Sequence, residues 1–160
     1  MTQFTLHIFM NTAENASRLY KEAAYTLKHG ICRRVAVLAF WSEGLAREES
    51  TGDGLEIKRL PTVLHRYKST TILRRFVLLR KILALLSLFQ YAIDCIRTTR
   101  QLNPDHVSCH NAFMLPVAWV AARAAGATLE YLPHELETER AGLEGMLKRI
   151  TTVIERRFIR

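Results

Sequence analysis

Residues 105–133 read DHVSCHNAFMLPVAWVAARAAGATLEYLP. A short run around Val107 (Asp105–Asn111) has the length of a strand, and the alanine-rich stretch Ala112–Ala125 has the length of a helix. Gly126 then stands where a helix stops, and Ala127–Pro133 reads as a second strand. Pro116 fits this helix only in its first turn, where a missing N–H costs no hydrogen bond. Strand, helix, glycine, strand is a β-α-β unit, and its two strands run parallel because the helix carries the chain back to its starting end.

The same alternation extends upstream. Phe4–Met10 (FTLHIFM) reads as a strand, Asn11-Thr12 as the cap of a helix over Ala13–His29, and Gly30 as its stop. Ala16, Leu19, Ala23 and Leu27 recur there at helical spacing. Arg33–Trp41 is a second strand, followed by a loop through Gly44, Gly52 and Gly54. Leu55–Leu60 is a third strand, ended by Pro61. Thr71–Gln101 is a long helix with apolar positions at Leu73, Val77, Leu83, Leu86, Tyr91 and Ile93, closed by Asn103-Pro104. From Leu143 the pattern is helical again. The fold expected is α/β: a Rossmann-like parallel sheet of at least five strands with helices on both faces. At 160 residues this is one domain. Ligands of such sheets bind beyond the carboxyl ends of the strands, which singles out residues 11–15, 42–44, 110–113 and 134–139.

The composition, 49% apolar and 24% charged, is that of an ordinary globular chain and excludes disorder and repeat architectures. The best apolar stretch, Phe76 to Ile93, is interrupted by Arg80 and Lys81 and is too short to span a bilayer. No export signal precedes the first strand, and Cys32, Cys95 and Cys109 are far apart, so the expectation is a cytoplasmic protein with reduced thiols. The net charge of +8 is localised. No acidic residue occurs from Ile57 to Ile93, and the eight basic residues there include Arg74, Arg75, Arg80 and Lys81. Such a segment suits an anionic partner, for example an anionic membrane surface, or forms a solvated surface whose apolar side packs on the sheet. Nucleic acid is not expected, because aromatic platforms and known binding motifs are absent.

Several chemistries fail on spacing. His134-Glu135-Leu-Glu137-Thr138 lacks the second histidine of H-E-x-x-H, and His106 and His110, four apart on a strand, stand about 13 Å apart, too far for one ion. No metal is therefore expected. The turn after the first strand, NTAENAS, has no glycine to admit a pyrophosphate, no Walker sequence occurs, and Ser108 lacks a nucleophile elbow. His110 and His134 are distinctive because each closes a strand at the ligand-facing edge, whereas His7 lies within a strand and His29 beside a helix stop.

From Leu102 onward the chain resembles the N-terminal domain of glycosyltransferase family 4, of GT-B fold. The matching residues are Asn103-Pro104-Asp105, His110, the helix 112–125, His134-Glu135 and Glu155-Arg156-Arg157, over about the last 60 residues. The resemblance implies retaining transfer of a sugar from a nucleotide-sugar donor to a glycan or lipid-linked acceptor, as in bacterial surface-polysaccharide assembly. It implies that His110 faces the transferred sugar as the catalytic-site histidine. Asn11, Thr12, Asn111, His134 and Glu135 would line the acceptor side, with no cofactor held in this domain. It further implies a C-terminal donor-binding domain beyond Arg160, without which the 160 residues are not expected to catalyse transfer. Two departures accompany it: the glycines common after the first strand are replaced by Asn11-Thr12-Ala13-Glu14, and the paired glutamates of the donor-binding half are absent. The competing class is a non-catalytic α/β module that binds an anionic or small-molecule ligand at its strand ends.

Overall fold

The computed structural model describes residues 4–14, 16–63, 77–132 and 145–158. Six strands, β1 (Phe4–Ile8), β2 (Arg34–Phe40), β3 (Glu48–Ser50), β4 (Leu55–Leu60), β5 (His106–Cys109) and β6 (Thr128–Tyr131), form one sheet in the order β3-β4-β2-β1-β5-β6. Every neighbouring pair is parallel except β3 with β4. The helices are α1 (Ser17–Lys28), α2 (Val77–Leu102), α3 (Leu115–Ala125) and α4 (Gly145–Phe158), with a 3₁₀ turn at Ala112–Met114. The expected parallel α/β sheet is present. The sixth strand, β3, is a short antiparallel edge within what the glycine pattern presents as loop.

Side chains alternate along each strand, and the alternation sorts them into two cores. Val35, Val37 and Ala39 of β2 pack with Leu19 and Ala23 of α1. Ala36 and Leu38 join Leu6, Ile8, Val107 and Cys109 in a second core with Tyr91 and Cys95 of α2 and Leu115, Ala118, Ala121 and Ala122 of α3. In the middle of the sheet β2 is apolar from Val35 to Phe40 and buried on both faces from Val35 to Ala39.

Local chemistry sets the element ends. Gly126 closes α3 with φ +69°, and Pro116 sits in the first turn of that helix as its missing N–H requires. Asn103 closes α2 in the same left-handed region, φ 49°, its N–H donating to the Thr99 carbonyl at 2.9 Å. Asn11-Thr12 does not cap α1. The helix starts at Ser17 behind Ala16, which offers no side-chain cap, because the chain first makes a separate turn at Ala13.

The long helix departs most from its apolar periodicity. Tyr91 is buried as expected, but Val77, Leu86 and Ile93 are exposed; the buried positions are Ser87, Tyr91, Cys95, Thr98 and Thr99. Small side chains on this stripe meet the alanines of α3, which lets the two helices approach closely. The polar groups are accommodated by hydrogen bonds. Thr99 Oγ1 donates to the Cys95 carbonyl at 2.7 Å, and the Tyr91 hydroxyl donates to the Phe9 carbonyl at 2.6 Å, with the Leu38 carbonyl at 3.1 Å.

Candidate functional site

Chain order reverses direction across the sheet between β1 and β5: β2 and β4 follow on one side of β1, while β5 and β6 lie on the other. In open parallel sheets a crevice opens at such a switch point, beyond the carboxyl ends of the two strands. The residues leaving those ends are Phe9 to Asn11 on one side and His110-Asn111 on the other. The register pairs Ile8 with Cys109, so the two segments emerge side by side.

His110 follows the last residue of β5 and is 5% exposed. Its Nε2 lies 2.8 Å from Nδ1 of His7, and the two rings stack with centroids 5.1 Å apart. The Phe9 ring is tilted against the His110 imidazole, with centroids 4.9 Å apart. One ring must donate and the other accept across that nitrogen pair, so at least one of the two histidines is a neutral imidazole. Burial favours the same state in His7, whose pKa falls from the usual 6.5 to about 4, with the nearby His106 adding to the effect. His106 itself turns to β6, where its ring nitrogens meet Thr128 Oγ1 at 2.6 Å and Glu130 Oε2 at 3.1 Å. It does not converge with His110.

The turn after β1 is held from three directions. Asn11 Oδ1 accepts from the Ala13 N–H at 2.7 Å, the Tyr20 hydroxyl donates to the Ala13 carbonyl at 2.7 Å, and Arg59 Nε donates to the Thr12 carbonyl at 2.9 Å. These bonds keep Ala13 at φ 56°, a left-handed conformation that usually falls to glycine and costs a residue with a Cβ about 1 kcal/mol. The missing glycine of this turn is thus replaced by an alanine under three restraints. Arg59, one of the eight basic residues of the 57–93 segment, is buried: beyond Thr12 it donates to the Ala46 carbonyl at 2.9 Å and pairs with Glu49 at 2.8 Å. Lys58 pairs with Glu48 at 3.0 Å. The edge strand β3 therefore neutralises two of the eight basic residues of the 57–93 segment, leaving its surplus concentrated downstream.

Asn111 mirrors Asn11. Its Oδ1 accepts from the Phe113 N–H at 2.9 Å and starts the 3₁₀ turn that leads into α3. Both asparagines spend their carbonyl oxygen on the backbone, and each keeps an amide NH₂ for a hydroxyl or anionic oxygen.

Asn11, Thr12, His110 and Asn111 are thus brought to one edge by adjacent strands. Arg80 and Lys81 lie on the exposed first turns of α2. His134, Glu135, Arg74 and Arg75 lie outside the described residues. His7 and Phe9 are the contributors that sequence reasoning missed. Their alternate spacing places them on one face of β1, but only the pairing of β1 with β5 sets that face against His110. Among the described residues no group of three His, Cys, Asp or Glu side chains could hold a metal ion. No known protein-family model matches the chain, and no curated protein matches it at a significant level.

Proposed function

We propose that the chain is the acceptor-side N-terminal domain of a retaining glycosyltransferase of GT-B type, moving a sugar from a nucleotide-sugar donor to a glycan or lipid-linked acceptor in surface-polysaccharide biosynthesis. The observation that carries this reading is the place of His110, directly after β5 at the switch point of a parallel sheet, with two asparagine amides at the same edge. In this reading His110 faces the transferred sugar, while Asn11, Thr12 and Asn111 hydrogen-bond acceptor hydroxyls. His134 and Glu135, which follow β6 in the sequence, are assigned to the same acceptor side by the resemblance. The nucleotide and its phosphates belong to a C-terminal domain. The contribution of these residues to the rate is positional: holding donor and acceptor in line converts a bimolecular encounter into a step within one complex.

The test is nucleoside diphosphate release by the product of the whole reading frame, given a panel of nucleotide sugars and an acceptor extract. His110→Ala is expected to lower turnover by about a hundredfold while circular dichroism stays unchanged. Wild-type turnover in the folded variant removes His110 from the mechanism.

One observation favours the second reading, a non-catalytic module for an anionic or small-molecule ligand: His110 is almost fully enclosed and already bonded to His7. Under that reading a ligand binds the edge and shifts the thermal midpoint, Asn11→Ala and Asn111→Ala abolish the shift, and no nucleotide sugar is consumed.

A further inference from the structure

We propose that the outer face of α2 is an interfacial helix that lies on an anionic lipid surface. Leu78, Ile82, Leu85, Phe89 and Ile93 recur at steps of four, three, four and four, which aligns them along one side of the helix. All five are exposed, Leu78 at 72%, Phe89 at 61% and Leu85 at 56%. The stripe that packs into the core, Tyr91, Cys95, Thr98 and Thr99, is on the opposite side. A helix of a globular domain normally turns its large apolar residues inward; α2 turns small and polar ones inward and its leucines out.

The charges around the stripe identify its occupant. Lys81 flanks its first turns, and Arg97 and Arg100 continue its line toward the helix C-terminus, while Arg80, two residues from both Leu78 and Ile82, and the one acid of the helix, Asp94, are on the other side. None of these four cations is ion-paired with a described residue. A second copy packed antiparallel on the stripe would set Lys81 of one chain near Arg97 and Arg100 of the other, and like charges at that range repel. An acidic bilayer surface satisfies both features at once, taking the leucines and Phe89 among its acyl chains and the cations at its phosphates. Among the described residues no helix is long and apolar enough to cross a membrane, so α2 lies in the plane of the surface. This inference is independent of the sugar-transfer reading.

The 160-residue chain is sedimented with vesicles of phosphatidylcholine alone and of phosphatidylcholine with phosphatidylglycerol. Binding to the acidic vesicles is expected, weakening with salt, together with little binding to the neutral ones. Leu85→Gln with Phe89→Gln, both on exposed positions, is expected to lower partitioning at least about tenfold. Lys81→Gln with Arg100→Gln should lower it by a similar factor. Leu85→Ala with Phe89→Ala, alanine being the best helix former, serves if the glutamines disturb the fold. The proposal is overturned if the wild type stays in the supernatant, if the variants bind as the wild type does, or if neutral vesicles bind equally well. It is overturned also if light scattering shows a lipid-free dimer that these variants dissociate, since the occupant is then a second copy.

Discussion

Between His7 and His110 the two ring nitrogens stand 2.8 Å apart with one proton to share, which makes the pair sensitive to acid. The pKa of His7 falls from 6.5 to about 4, chiefly through burial, so the native state binds a proton later than the unfolded chain does. Between those values the unfolded state holds more protons, and stability declines as the pH falls through the window. Above about pH 6.5 the contribution of His7 is complete; its ceiling, at 1.36 kcal/mol per unit, is about 3 kcal/mol. Urea unfolding at pH 7 and at pH 4.5 is therefore expected to show a larger loss of stability in the wild type than in His7→Gln. Parallel losses would mean that His7 titrates normally. The sequence marks His110 by its place at a strand end, yet it presents His7 as one more residue inside a strand. The pairing lies 103 positions apart in the chain, and nothing local to either residue encodes it.

Edge strand β3 and the turns around Arg59 form a unit of similar opacity. Glu48 and Glu49 read as a charged loop, but in the sheet they stand against Lys58 and Arg59 of β4. The two ion pairs differ in weight. Lys58 and Glu48 are both largely in water, where such a pair contributes under about 1 kcal/mol. Arg59 is buried, and its guanidinium serves the Thr12 and Ala46 carbonyls as well as Glu49. Arg59→Met leaves those carbonyls without a donor and should cost about 2–4 kcal/mol in urea unfolding, against less than about 1 kcal/mol for Lys58→Met. Comparable losses would show that the buried network adds nothing beyond surface charge. Arg59 also ties the turn after β1 to the turn after β2, so its loss should loosen the ligand-facing edge before the sheet itself. Helix α2 teaches the converse lesson. Its helical character from Val77 and its stop are plain in the sequence, whereas its orientation is not, because with leucines on most sides the apolar periodicity has no single minimum and the small residues facing α3 decide which side goes in.

Across the whole molecule the three thiols report on global opening. Cys95 and Cys109 lie in the same core, and burial raises their pKa values to about 12 and about 11. The reactive thiolate is therefore scarce at neutral pH, and access to it requires the core to open. Labelling of these two cysteines by a disulfide reagent at pH 8 should follow the global unfolding rate; fast labelling in the native state would reveal a looser core. All three cysteines are free and buried. By itself the sequence determined the class of the fold, since the order of strands and helices, their glycine and proline ends and the apolar strand runs are local signals that a β-α chain can satisfy in few ways. It also located one wall of the candidate site, because a parallel sheet presents its strand ends on one edge. Only the tertiary structure decided which strands are neighbours, and with them the bond between His7 and His110, the burial of Arg59 and the outward face of α2. The physical reason is common to all three: each is a contest between distant surfaces for the same burial, and the winner depends on shape and register that no short stretch of chain contains.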